Sequence, residues 1–114
     1  MEPQVAKDRL NALQIVDVRQ DVEFADGHID GSIHIPLREL PDRIGELSTE
    51  RETLVVCEIG QRSDMGARFL RGQGMDAHNL DGGLKRWKRQ GLPLTGNEGA
   101  PGRVIEGWSQ ILED

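Results

Sequence analysis

The chain has 114 residues, 36% of them apolar and 30% charged, and a formal net charge of −6 at pH 7. That length fits one compact domain rather than two. An acidic chain without a basic run argues against electrostatic binding to nucleic acid or to an anionic membrane surface, and no stretch approaches the roughly 18 apolar residues of a membrane helix.

The elements follow in chain order. Glu2 to Leu13 reads as a helix, with Pro3 in its first turn and Val5, Leu10 and Leu13 on one face. Leu13 to Val18 is a short β-branched run and reads as a strand. Asp21 to Ala25 reads as one helical turn, and Gly27 to Gly31 as a glycine-bounded turn. Ser32 to Ile35 is a second strand, closed by Pro36. Leu37 to Leu47 is a helical region interrupted by Pro41. Thr53 to Cys57 is the most apolar run in the chain and fits a central strand of a parallel sheet. Ser63 to Gly72 reads as a helix with Met65, Phe69 and Leu70 inward, and Asp76 to Leu80 as another strand. Gly82-Gly83 opens a helix that runs to about Gln90. Residues 1–95 then form the domain, 96–102 a glycine-rich linker, and 103–114 an amphipathic helix whose stripe is Val104, Ile105, Trp108, Ile111 and Leu112.

Strands alternating with helices argue an α/β fold, a central parallel sheet with helices on both faces. With two Phe, two Trp and no Tyr, its core must be mostly Val, Ile and Leu. Sites in such sheets lie beyond the carboxyl ends of the strands. Two places qualify, just after Val18 and just after Val56.

The second place carries the only cysteine. Cys57 opens Cys57-Glu58-Ile59-Gly60-Gln61-Arg62-Ser63, and a helix follows at once. One cysteine forms no internal disulfide, and with no apolar N-terminal run to suggest a signal peptide a reducing, cytoplasmic setting is expected. A lone cysteine there is either a small buried hydrophobe or a reactive thiol. A strand–loop–helix layout aims successive backbone N–H groups at one point, near the positive end of the helix. Gly60 permits the curl, and Ser63 reads as the N-cap. Both effects stabilise a thiolate, so the reading here is a nucleophile. A cysteine phosphatase would need an arginine six places after the cysteine to grip an oxyanion with two parallel bonds. That position is Ser63, and Arg62 comes one place early. The shorter loop suits a sulfur atom better than a phosphate.

The ordered motifs resemble the rhodanese homology domain. Ile15-Val16-Asp17-Val18-Arg19 with Glu23-Phe24 is similar to one signature of that family, and Gly27-His28-Ile29-Asp30-Gly31-Ser32-Ile33-His34-Ile35-Pro36 to a second. Val55-Val56-Cys57, the loop ending Arg62-Ser63, Asn79-Leu80-Asp81-Gly82-Gly83, Trp87 and Gly91-Leu92-Pro93 complete the resemblance over about residues 13–94. It implies a five-stranded parallel sheet and sulfurtransferase chemistry without a cofactor. Cys57 would take sulfane sulfur from thiosulfate or a persulfide and pass it to cyanide, a thiol or a protein acceptor. The backbone of Glu58, Ile59, Gly60, Gln61, Arg62 and Ser63 would hold the anionic persulfide. The alternative is a regulatory binding module of the same fold, free-standing or part of a larger protein. The loop and Met65-Gly66-Ala67-Arg68 look most like rhodanese domains fused to coenzyme A-disulfide reductase-type flavoproteins.

Two features depart from the family pattern. Glu58 directly follows the nucleophile, where a carboxylate either repels an anionic donor or points to water and is screened. Only Met1-Glu2 precede the first helix, where the family carries a short edge strand. Arg62 either attracts the donor or braces the loop. Asp17 and Arg19, at a strand end close to the loop, either tune Cys57 or pair with each other and with Glu23, and the reading here is the exposed, supporting ion pair. His28 and His34 sit in turn and strand motifs, a loop-activated thiolate needs no separate base, and the His and Cys residues show no metal-ligand spacing. Trp87 reads as core.

Overall fold

The computed structural model describes residues 1–96 and 102–105. The helix α1 spans Pro3–Asp8 and is followed by a 3₁₀ turn, Leu10–Ala12. The strand β1 is Gln14–Asp17, α2 is Asp21–Asp26, and β2 is Ile33–His34. A 3₁₀ turn at Leu37–Glu39, the short helix α3 at Leu40–Arg43 and a second 3₁₀ turn at Ile44–Glu46 lead to β3, Thr53–Val56. Then come α4, Gln61–Gly72, β4, Ala77–Asn79, and α5, Gly83–Arg89. The four strands form one parallel sheet in the order β2-β1-β3-β4.

All four residues of β1 and all four of β3 are buried. Their alternate side chains feed two cores, one on each face. Val16, Val55 and Cys57 pack with Leu40, Ala67 and Leu70. Ile15, Leu54 and Val56 pack with Ala6, Leu80, Leu84 and Trp87. This two-sided burial is why these runs lack polar alternation. The Trp87 indole N–H finds the Pro93 carbonyl at 2.9 Å, which satisfies its one buried polar group.

The structure corrects several expectations. Among the described residues the sheet has four strands rather than five, and beside β4 the pairing extends to one further residue, Met1. The terminal amine of Met1 donates to the Asn79 carbonyl at 2.7 Å, and the Asp81 N–H donates to the Met1 carbonyl at 2.8 Å, a parallel-strand pattern one residue long. The first helix stops at Asp8, and the 3₁₀ turn after it breaks the phase of the expected stripe. Pro3 and Ala6 face inward, and Val5 is exposed. Met65 is also exposed, because α4 starts two residues earlier than expected and turns Ser63, Gly66, Ala67 and Leu70 inward. Gly66 permits close approach there: a Cβ on it would stand 3.2 Å from a Val55 methyl.

Among the described residues no helix is long and apolar enough to cross a membrane. Of the expected C-terminal helix, residues 103–105 carry no regular secondary structure, and Arg103 donates its backbone N–H to the Asp26 carbonyl at 3.0 Å. Residues 106–114, with Trp108, Ile111 and Leu112, and most of the expected linker lie outside the described residues.

Candidate active site around Cys57

Cys57 follows β3 and is fully buried. The chain then reverses at Gly60, whose φ of 101° lies in the left-handed region that only glycine enters without cost. That reversal places the Gly60 N–H 3.1 Å from Cys57 Sγ. It also starts α4 at Gln61, so Ser63 is not the N-cap. Ser63 sits in the first helical turn with its hydroxyl oxygen 3.1 Å from Sγ. First-turn N–H groups have no acceptors within their own helix, so α4 presents its positive end to the loop.

Two other elements brace this loop. Asn79, at the end of β4, lies with its Oδ1 2.5 Å from the Ser63 hydroxyl and donates its Nδ2 to the Gly60 carbonyl at 3.0 Å. The start of α5 takes the loop's carbonyls: Leu84 N–H donates to Cys57 O at 2.8 Å, and Lys85 N–H to Glu58 O at 2.9 Å. Gly83 makes that approach possible. Its φ is +67°, and a Cβ on it would stand 2.3 Å from the Glu58 carbonyl oxygen. Gly83→Ala should therefore displace the loop, destabilise the domain by about 1–3 kcal/mol and slow any chemistry at Cys57. Gly45→Ala, where a Cβ meets nothing within 4 Å, should be close to neutral. Denaturant unfolding of the two variants makes the comparison.

The charged residues near the loop are paired and buried. Arg62 meets Glu23 of α2 through two bonds of 2.7 and 2.8 Å, at side-chain exposures of 4% and 0%. Glu23 also accepts the Gln20 N–H at 3.1 Å as part of the cap of α2. The Arg62 guanidinium thus ties α2 to the first turn of α4. Asp17 and Arg19 are not an exposed strand-end pair. Both are fully buried, joined by bonds of 2.8 and 2.9 Å, and Arg19 also donates to the Gly27 carbonyl at 2.6 Å. They anchor the turn after α2, and neither bonds the thiol. The Glu58 side chain is 1% exposed, so it does not point to water. Ile59 and Gln61 complete the loop, with Gln61 exposed.

The histidines have other partners. His28 Nδ1 donates to the Phe24 carbonyl at 2.7 Å, and His34 Nε2 to the Arg19 carbonyl at 2.7 Å. Both rings stack on Phe24, at centroid distances of 3.9 and 4.4 Å. One cluster escaped the sequence reading. Ligating atoms of Glu52, Asp76 and His78 lie within 4.8 Å of one another, before and along β3 and β4, at the end of the sheet away from Cys57. Arg9 grips Glu52 through a hydrogen-bonded pair and holds its carboxyl below the usual range. His78 sits 3.2 and 2.8 Å from the two carboxylates, so the group is a mixed-charge network that ties α1 to the sheet.

The profile of the rhodanese-like domain matches residues 2–90. Over 89 residues the chain is 40% identical to an HTH-type transcriptional regulator of Mycobacterium tuberculosis, covering 76% of this chain but only 38% of that protein. It is 38% identical over 86 residues to the thiosulfate sulfurtransferase GlpE of Pseudomonas aeruginosa, covering 75% of this chain and 78% of the relative. A rhodanese-related protein from Thermoplasma volcanium superposes with a TM-score of 0.81 at 28% identity, over 83% of this chain and 95% of that one. Reduced Bacillus anthracis CoADR-RHD superposes with a TM-score of 0.73 at 34% identity, over 76% of this chain and 16% of that one.

Proposed function

The chain belongs to the rhodanese-like domain family, and on that premise we propose that it is a sulfurtransferase whose Cys57 carries sulfane sulfur. The Cys57 thiolate attacks the outer sulfur of a donor. With thiosulfate, a bond forms between Sγ and that sulfur, the S–S bond of thiosulfate breaks, and sulfite leaves with the electron pair. An acceptor nucleophile such as cyanide or a thiolate then takes the outer sulfur, and Sγ leaves as thiolate again. Backbone N–H groups of residues 58–63 stabilise the anionic persulfide without reorganising during the step. The observation that carries this reading is the Gly60 N–H, 3.1 Å from Sγ, at the opening of a loop braced by both β4 and α5. Thiocyanate formed from thiosulfate and cyanide measures the activity.

One observation favours a second reading, a regulatory binding module that does not use the thiol: Cys57 is 0% exposed, and inert structural cysteines are buried. The same assay separates the two. Residues 1–95 are proposed as the domain proper and 103–114 as an appended segment; a fused partner domain or a protein acceptor is compatible with both readings. Cytoplasmic location is likewise proposed, on the reduced single cysteine.

Glu58 shapes the choice of donor. Two unit charges about 6 Å apart at an effective dielectric near 20 interact by roughly 3 kcal/mol, an upper figure for this pair. Even a third of that costs about fivefold in donor affinity. Glu58→Gln should therefore raise catalytic efficiency with thiosulfate several-fold, with little dependence on salt because salt screens a buried charge weakly, and change a neutral persulfide donor less. An unchanged ratio between the two donors removes Glu58 from donor selection.

A further inference from the structure

Ser63 Oγ lies 3.1 Å from Cys57 Sγ and 2.5 Å from Asn79 Oδ1. A hydroxyl has one hydrogen, so it donates to one of them at a time. The Asn79 amide is oriented by its Nδ2, which donates to the Gly60 carbonyl at 3.0 Å. Its Oδ1 therefore faces Ser63 and only accepts. While Cys57 is a thiol, every hydrogen has a place: Ser63 O–H donates to Asn79, and Cys57 S–H donates to Ser63 Oγ. When the thiol proton leaves to solvent, sulfur becomes an acceptor. Ser63 then turns its hydrogen to sulfur, and Asn79 Oδ1 gives it up. On persulfide formation the charge moves to the outer sulfur, and the hydrogen returns to Asn79.

We propose that Asn79 is a positioning residue that controls ionisation of Cys57 by competing with sulfur for the Ser63 hydroxyl hydrogen. The bond between Ser63 and Asn79 is intact in the resting and the sulfur-loaded protein and is given up only by the attacking thiolate. Asn79 thus opposes idle ionisation of the thiol, while the Gly60 N–H favours it, and it favours loading once a donor has been attacked. This deepens the reading of Cys57 as nucleophile and rests on it.

The test follows alkylation of Cys57, the only thiol, by iodoacetamide across pH, with no sulfur donor present. The charged and titratable groups on the elements around the loop include Asp17 at the end of β1, Arg19 after it, Glu23 of α2, His34 of β2, Glu58 of the loop, Arg62 and Asp64 of α4, and Lys85 of α5. All are kept in every variant, so differences report the Ser63 hydrogen. Asn79→Ala should alkylate about tenfold faster at pH 7, the scale of one hydrogen bond to a charged group, and Ser63→Ala about tenfold slower. Introducing Asn79→Ala into Ser63→Ala should give none of that acceleration, because Asn79 then has nothing to compete for; loss of the Asn79–Gly60 bond accompanies the Asn79 change in both backgrounds, so the difference between its two effects isolates the competition. Ser63→Thr, which keeps the hydroxyl, should behave as the parent.

A second measurement needs no change at Asn79. The single S–H infrared band of the unmodified protein should lie below that of Ser63→Ala, as expected of a thiol that donates. Coincident bands overturn the proposal, as does an Asn79→Ala rate that is unchanged, slower, or equally raised without the Ser63 hydroxyl. Neither readout requires sulfur transfer, so loss of the sulfurtransferase reading registers separately.

Discussion

Replacing Cys57 by Ser should reduce thiosulfate-to-cyanide transfer at least about a thousandfold, to the uncatalysed background, and leave the fold intact. A serine hydroxyl is far less acidic than a thiol, so the loop does not ionise it, and an oxygen does not stand in for sulfur as carrier. The fold should survive because the site suits a hydroxyl. The Gly60 N–H and Ser63, each 3.1 Å from Sγ, give a buried hydroxyl its partners. The stability cost should stay near 1 kcal/mol, the net scale of one hydrogen bond. Thiocyanate production and a denaturant titration on the same preparation check both halves. Substantial transfer by the serine variant would remove Cys57 from the chemistry.

Arg62→Ala should be the most damaging change to stability. It leaves the Glu23 carboxylate, fully buried, without the guanidinium that holds it through two bonds. Breaking a buried pair from one side costs about 3–5 kcal/mol, since an uncompensated charge stays in the interior. That is a large share of the roughly 5–15 kcal/mol that holds a domain together. At about 4–8 °C per kcal/mol for a domain of this size, the midpoint should fall by roughly 12–40 °C. The surface pairs of Arg43 with Glu39 and Glu46 offer the contrast. Arg43→Ala should cost under about 1 kcal/mol, as exposed pairs do. Because Glu23 holds the Arg62 guanidinium, the expected loss lies in stability rather than in the Michaelis constant for thiosulfate. Equal midpoints for Arg62→Ala and Arg43→Ala would contradict this assignment.

The sheet was legible in the sequence where burial is two-sided. Thr53 to Val56 has no polar alternation because each face meets its own core, and that absence marked the central strand. The thiol at its end and the glycine three places on were equally visible, being local. Geometry that depends on a backbone angle was not. The φ of Gly60 decides that α4 starts at Gln61, and this moves Ser63 from cap to sulfur neighbour and Met65 from core to surface. Long-range pairing was hidden for another reason. Glu23 and Arg62 are 39 residues apart, and Asn79 is 16 from Ser63. Each stood in a quoted motif, but nothing local says which residue meets which. The count of five strands came from the resemblance, while the sequence itself showed only Met1-Glu2 where the edge strand would lie, and one residue of pairing leaves no periodicity to read.

The most direct measurement of the central claim is the intact mass of the protein after incubation with thiosulfate and removal of the excess. A sulfur carrier gains the mass of one sulfur, releases one sulfite per chain, loses the added sulfur on treatment with cyanide, and shows none of this after Cys57→Ser. A mass unchanged by thiosulfate and by a persulfide donor alike, or a sulfur adduct that persists in Cys57→Ser, would contradict it.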